Sequence, residues 1–148
     1  MRHLAAALFA LACASAQAQW SYATKKDPMT DAVTTQASLK SAPRAGAELV
    51  AYRAGGQWNG VRLIVSRGQL LSSEGIVLRL DDDTPMQLRA VGAADGSAHF
   101  LSIAQVEFME HPDLVERIAH AQRLRVQATL YSGGEQVFEF KPAGLKLD

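Results

Sequence analysis

Ile76, Leu78 and Leu80 alternate with Val77 and Arg79, and after Asp81-Asp82-Asp83-Thr84-Pro85 the alternation resumes with Met86, Leu88 and Ala90 against Gln87 and Arg89. A two-residue period sends successive side chains to opposite faces of a pleated strand, so residues 76–90 predict an antiparallel hairpin. Ala94-Asp95-Gly96-Ser97 predicts a second reversal: Asp hydrogen-bonds its own backbone, and Gly accepts the positive φ of a tight turn. A third run, Ala98 to Ile103, follows as the last strand of a central meander.

The rest of the chain is punctuated in the same way. Gln19–Thr24 and Thr30–Ser38 predict two short edge strands on either side of Lys25-Lys26-Asp27-Pro28. After a loop at residues 41–46, Glu48–Arg53 reads as a strand with Leu49 and Ala51 on one side and Val50 and Tyr52 on the other. Residues 55–60, Gly-Gly-Gln-Trp-Asn-Gly, return the chain into Val61–Val65. Apolar residues at spacings of three and four predict helices over 104–109 and 114–119, with Asp113 and Glu116 placed as a capping box. Leu124–Tyr131 and Glu135–Lys141 form a hairpin about Ser132-Gly133-Gly134, with Phe138 and Phe140 on its buried side and Glu139 opposite. Reversals at this spacing predict a mainly β domain: a single antiparallel β-sandwich or partly open barrel of about seven to nine strands, with one or two short inserted helices.

Residues 1–18 differ in kind. Met1-Arg2-His3 precedes an apolar stretch, Leu4 to Ala14, shorter than the roughly 20 residues a bilayer span needs. Ala16-Gln17-Ala18 then fits small-x-small cleavage, so the segment reads as a secretory signal peptide cut before Gln19, leaving residues 19–148 as one domain. A lipoprotein signal acylated at Cys13 is the competing reading. Arg2 is the only Lys, Arg, Asp or Glu removed, so 14 Lys and Arg remain against 15 Asp and Glu, a net charge of −1. That balance argues against a nucleic-acid partner. Cys13 is the only cysteine, so the mature chain has no disulfide, thiol nucleophile or cysteine metal ligand. It carries no second apolar stretch long enough to cross a membrane.

No catalytic residue, metal site or cofactor motif is expected. His99, His111 and His120 lack metal-ligand spacing, and Ser66, Ser72, Ser73 and Ser102 lack a nucleophile elbow. Asp81-Asp82-Asp83 lacks the spacing of a calcium loop and fits a solvated turn. Arg62, Arg79, Arg89 and Arg125 each sit between apolar neighbours in an expected strand, where guanidinium forks suit carboxylate or phosphate groups. A mixed surface neutralised by Asp81, Glu107 and Glu139 is the plainer account of them. Trp58 fits either an exposed recognition aromatic or a lid over the end of the sandwich.

Trp20, Asp27-Pro28-Met29-Thr30-Asp31, Val77-Leu78-Arg79-Leu80-Asp81, Asp95-Gly96-Ser97-Ala98-His99-Phe100 and the closing Val137-Phe138-Glu139-Phe140-Lys141-Pro142-Ala143-Gly144-Leu145 occur in an order that resembles the type VI secretion-associated TagO/VasI-like periplasmic proteins. The resemblance runs over nearly the whole mature chain. The chain differs in having Tyr52-Arg53-Ala54 where that family often has an Arg-Cys pair, and Gln87-Leu88-Arg89 where a Trp commonly precedes a serine-aspartate motif. The resemblance implies a secreted, β-sandwich-like accessory without catalytic residues. The expected function is therefore a non-enzymatic periplasmic module that binds an unidentified periplasmic or envelope protein, with Trp58, Arg79, Asp81, Asp82 and Asp95 as its binding patch. A periplasmic carrier of an anionic or lipid-like ligand is the alternative. A hydrolase whose aspartates meet only in space is a third reading.

Overall fold

Local alternation becomes two antiparallel sheets in the computed structural model, which describes residues 19–43, 46–71, 75–88, 91–92, 98–103 and 113–148. The strands are β1 (Ser21–Lys26), β2 (Val33–Lys40), β3 (Ala47–Ala54), β4 (Gln57–Val65), β5 (Ile76–Leu80), β6 (Met86–Leu88), β7 (Val91–Gly92), β8 (Ala98–Ile103), β9 (Leu124–Leu130) and β10 (Gly134–Phe140). Among the described residues one helix, α1 (Leu114–His120), precedes β9. The large sheet has the order β1-β2-β3-β4-β8-β7, and the small sheet β10-β9-β5-β6. The fold is thus a two-sheet sandwich with a short helix, and the ten described strands exceed the seven to nine expected. Residues 1–18, the turn at 94–97 with Asp95, and the helix expected over 104–109 lie outside the described residues.

Alternation decides which side chains fill the core. Leu49, Ala51, Val61 and Leu63 face inward from the large sheet, and Ile76, Leu78, Leu80, Leu124, Val126 and Phe140 from the small one. Leu114, Val115 and Ile118 of α1 join the same cluster. Burying each large apolar side chain contributes about 1.5–3 kcal/mol, which makes this layer the main source of stability.

Four expectations change. The hairpin at 76–88 forms, pairing Ile76 with Leu88 and Leu78 with Met86, but the third run leaves it. β8 pairs with β4 in the large sheet, Leu63 opposite His99, because the chain crosses between sheets after β6. β2 is interior rather than an edge, since β3 covers its far side. Asp113 stands at the N-cap of α1 without a side-chain cap bond; its carbonyl accepts from the Arg117 amide at 3.0 Å instead. The return at 55–60 is shorter than expected: Gly55 and Gly56, at φ 59 and 83, make the reversal alone, and β4 begins at Gln57. Two successive positive φ values match the right-handed twist of the flanking strands.

The loop after β2 reaches the small sheet, where the amide of Ala42 donates to Glu139 O on β10 at 2.8 Å. The segment after β10 is held against the large sheet. Trp20 Nε1 donates to Pro142 O at 2.7 Å, the Lys146 amide donates to the Tyr22 hydroxyl at 3.0 Å, and Trp58 Nε1 donates to Leu147 O at 3.2 Å.

Candidate binding face of the small sheet

Because Leu78, Leu80, Leu124 and Val126 point into the core, Arg79 and Arg125 point away from it. The two arginines are register partners on β5 and β9, and Val77 pairs with Gln127 one step along the same face. On β10, Val137 lies opposite Gln127, and Glu139 opposite Arg125. Val77, Arg79, Pro85, Arg125, Gln127 and Val137 line a shallow open groove of about 220 Å³ on this outer face.

The turn between β5 and β6 caps one end of the groove. Asp81 has φ 45, a left-handed conformation that Asp adopts more readily than most residues. Its amide donates to Arg123 O at 2.7 Å, and its Oδ1 accepts from the amides of Gln122 and Arg123 at 2.9 and 2.8 Å. These bonds tie the turn to the link between α1 and β9, about forty residues away in sequence. The Asp83 amide closes the turn onto Leu80 O at 2.9 Å.

Turn carbonyls then orient the arginines. Arg79 donates from Nε to Asp83 O at 2.8 Å and from Nη2 to Asp82 O at 3.3 Å, and Arg125 Nη2 donates to Asp81 O at 3.2 Å. Asp82 Oδ1 lies 2.9 Å from Arg123 Nη2, 3.9 Å from Arg125 Nη2 and 4.0 Å from Arg79 Nη2. Arg117 approaches Asp83 Oδ2 at 4.0 Å. Each such pair at a water-facing rim contributes at most about 1 kcal/mol, so the backbone bonds of Asp81 are the stronger element.

Of the expected patch, Arg79, Asp81 and Asp82 come together here, whereas Trp58 does not. Trp58 is on β4 of the other sheet, half-buried against the core and bonded to the C-terminal segment, which makes it a clasp rather than an exposed recognition aromatic. Asp81 spends its carboxylate on two amides and positions the turn. Arg123, Arg125, Gln127, Pro85 and Val137 were absent from the expected patch. The alternation of Arg125 and Gln127 against Leu124 and Val126 marked them as outward, but only the register of β9 on β5 sets them beside Arg79. Among the described residues, no group of three or more His, Cys, Asp or Glu side chains is placed to hold a metal ion, and no helix is long and apolar enough to cross a membrane.

The fold and this face together define an antiparallel β-sandwich with a cationic and apolar groove on its smaller sheet. Compared with known proteins, the chain matches no family model, no curated protein and no solved structure.

Proposed function

We propose that this chain is an exported, non-enzymatic accessory that binds a protein partner in the bacterial periplasm or envelope through the outer face of its small sheet. The observation that carries the reading is the composition of that face: Arg79 and Arg125 stand side by side among Val77, Pro85 and Val137. Arginine next to exposed apolar surface is what protein interfaces concentrate, because its planar group stacks, forks and desolvates more readily than an ammonium. Val137 is 59% exposed, apolar surface that a partner would remove from water. Export rests on the charged, apolar and small-residue order of residues 1–18, and association with a type VI secretion system on the TagO/VasI-like order of motifs.

A periplasmic carrier of an anionic ligand is the second reading, favoured by the same arginine pair. The groove is smaller than the roughly 300–1,000 Å³ usual for small-molecule sites, so the partner reading comes first. Affinity capture from periplasm with the wild-type chain and with Arg79→Glu separates them. A partner retained by the wild type and lost with Arg79→Glu supports the module. A small molecule co-purifying stoichiometrically in native mass spectrometry, with no protein partner, supports the carrier.

A further inference from the structure

We propose that the groove between Arg79 and Arg125 is a carboxylate site, taking a carboxylate on a short apolar stem, and that Asp82 is the resident anion with which this ligand competes. The inference rests on the reading of this face as the binding surface and names the group it recognises. Like charges directly opposite on neighbouring strands are destabilising, yet Arg79 and Arg125 are register partners. The bonds that orient them come from the carbonyls of Asp81, Asp82 and Asp83, which carry no net charge. Glu139, beside Arg125 on β10, makes no ion pair with it. Among the described residues, the carboxylate that forms an ion pair with both is Asp82, whose Oδ1 is 3.9 and 4.0 Å from them and bonds closely only to Arg123.

Asp82 serves as an internal example of the ligand. Three guanidinium groups converge on one carboxylate oxygen, but the side chain that supplies it is 85% exposed, on a turn, and enters from the end of the groove. Among the described residues, no acceptor meets the Nη1 group of Arg79 or Arg125, and Arg125 Nε is buried with no partner. A carboxylate lying along the sheet would meet the Nη1 groups of the two arginines, whose planar guanidinium favours such contacts. Its stem would run over Val77 and Val137, with Gln127 between them. At about 30 Å³ per water, the groove displaces roughly seven waters, room for a carboxylate and three or four carbons. A glutamate side chain on a partner, a chain-terminal carboxylate and a short free acid share this chemistry. Phosphate has the charge without the stem.

The full mature chain is titrated with butyrate, with the blocked peptide acetyl-Ala-Glu-Ala-amide and with inorganic phosphate, followed by backbone amide shifts. Butyrate and the peptide are expected to move the amides of Val77, Arg79, Arg125, Gln127 and Val137, and phosphate to bind at least several-fold more weakly. The peptide binding tighter than butyrate assigns the carboxylate to a protein partner; the reverse order assigns it to a free acid. Arg125→Gln should weaken butyrate about tenfold, the scale of one lost charge-assisted bond, and Arg125→Lys should restore only part of it. Asp82→Asn should tighten it several-fold, a gain that misfolding cannot imitate. Unchanged affinity in Arg125→Gln, phosphate binding as well as butyrate, or weaker binding in Asp82→Asn would each overturn the proposal. If carboxylates bind as expected while no protein partner depends on Arg79, the accessory reading fails and the site stands. If a partner needs Arg79 but carboxylates leave the groove untouched, the accessory reading stands and the site fails.

Discussion

The indole of Trp20 donates to Pro142 O at 2.7 Å, a buried bond that joins the residue before the first strand to the segment after the last. Residues so far apart in sequence meet only once both sheets have assembled, so the bond fastens the completed fold rather than any local element. Trp58 and Tyr22 repeat the arrangement further along, holding Leu147 and Lys146.

Trp20→Phe keeps most of the apolar bulk and removes the donor, leaving the Pro142 carbonyl buried and unpaired. The expected loss is about 1–3 kcal/mol, read as a lower urea midpoint. Trp58→Phe should cost less, because its bond is longer and half-exposed. Equal losses would mean that indole size, rather than the donated bond, sets the effect.

Asp81 controls the turn beneath Arg79. Asp81→Ala removes the acceptor of two amides and places a residue less tolerant of φ 45 there, for an expected cost of about 1–3 kcal/mol. Asp81→Asn keeps a carbonyl oxygen and the tolerance of a left-handed backbone, so it should cost less. Asp81→Gly relieves the backbone and still loses the acceptor. Urea unfolding of the three variants separates the two terms, and a glycine variant as stable as the wild type would rule out the acceptor role.

Gly75, at φ 72, sits where a Cβ would meet both Gln87 Nε2 and Leu88 O at 3.1 Å. Gly55, at φ 59, has open space around it. Left-handed backbone alone costs a residue with a Cβ about 1–2 kcal/mol, so Gly55→Ala measures that strain. Gly75→Ala adds the displacement of a backbone carbonyl in β6 and should lower the thermal midpoint further.

Local chemistry made the hairpins legible. Gly133-Gly134 and the alternation on either side specify β9 and β10 without reference to anything distant, and Asp81 to Pro85 does the same for β5 and β6. Which sheet β8 joins is a different question, because Ala98–Ile103 carries a strand pattern that fits either one. The neighbourhood of Arg79 and Arg125 depends on the pairing of Leu80 with Leu124, a long-range register set by the shared core face. The glycines flanking Trp58 suggest a longer loop than Gly55-Gly56 needs, whereas the residue lies on β4. The capping-box pattern at Asp113 misled because the spacing of its residues does not guarantee the side-chain bond.

Asp27 anchors the turn between β1 and β2, its Oδ1 accepting from the amides of Met29 at 2.7 Å and Thr30 at 3.1 Å. The Met29 amide first, then that of Thr30, holds the carboxyl below its ordinary 3.8. A depressed folded value stabilises the turn above that pH and loses the contribution as pH falls through the lower value. Carboxyl resonances of Asp27 followed by NMR should titrate below 3.8. Asp27→Asn should make stability less dependent on pH in that acid window.

Tyr52 points to the outer face of the large sheet, opposite Gly60 on β4 and Gln36 on β2, with Arg62 nearby. Burial pushes its phenol above the ordinary 10.0, and the positive charge of Arg62 opposes the rise without cancelling it. A raised folded value means that the native state holds the proton more tightly than the unfolded chain does. The stabilisation is fully present below about pH 10 and is lost as pH rises through the folded value. Stability of the wild type should fall more steeply above about pH 10 than that of Tyr52→Phe, which has no proton to lose at this position. Urea midpoints taken from about pH 8 to about pH 11 make the comparison, and parallel curves would show that the ring ionises as freely in the fold as in the open chain. Arg62→Gln removes the opposing charge and should move the phenol higher still, so the alkaline loss should begin at the same pH, extend further up and grow larger.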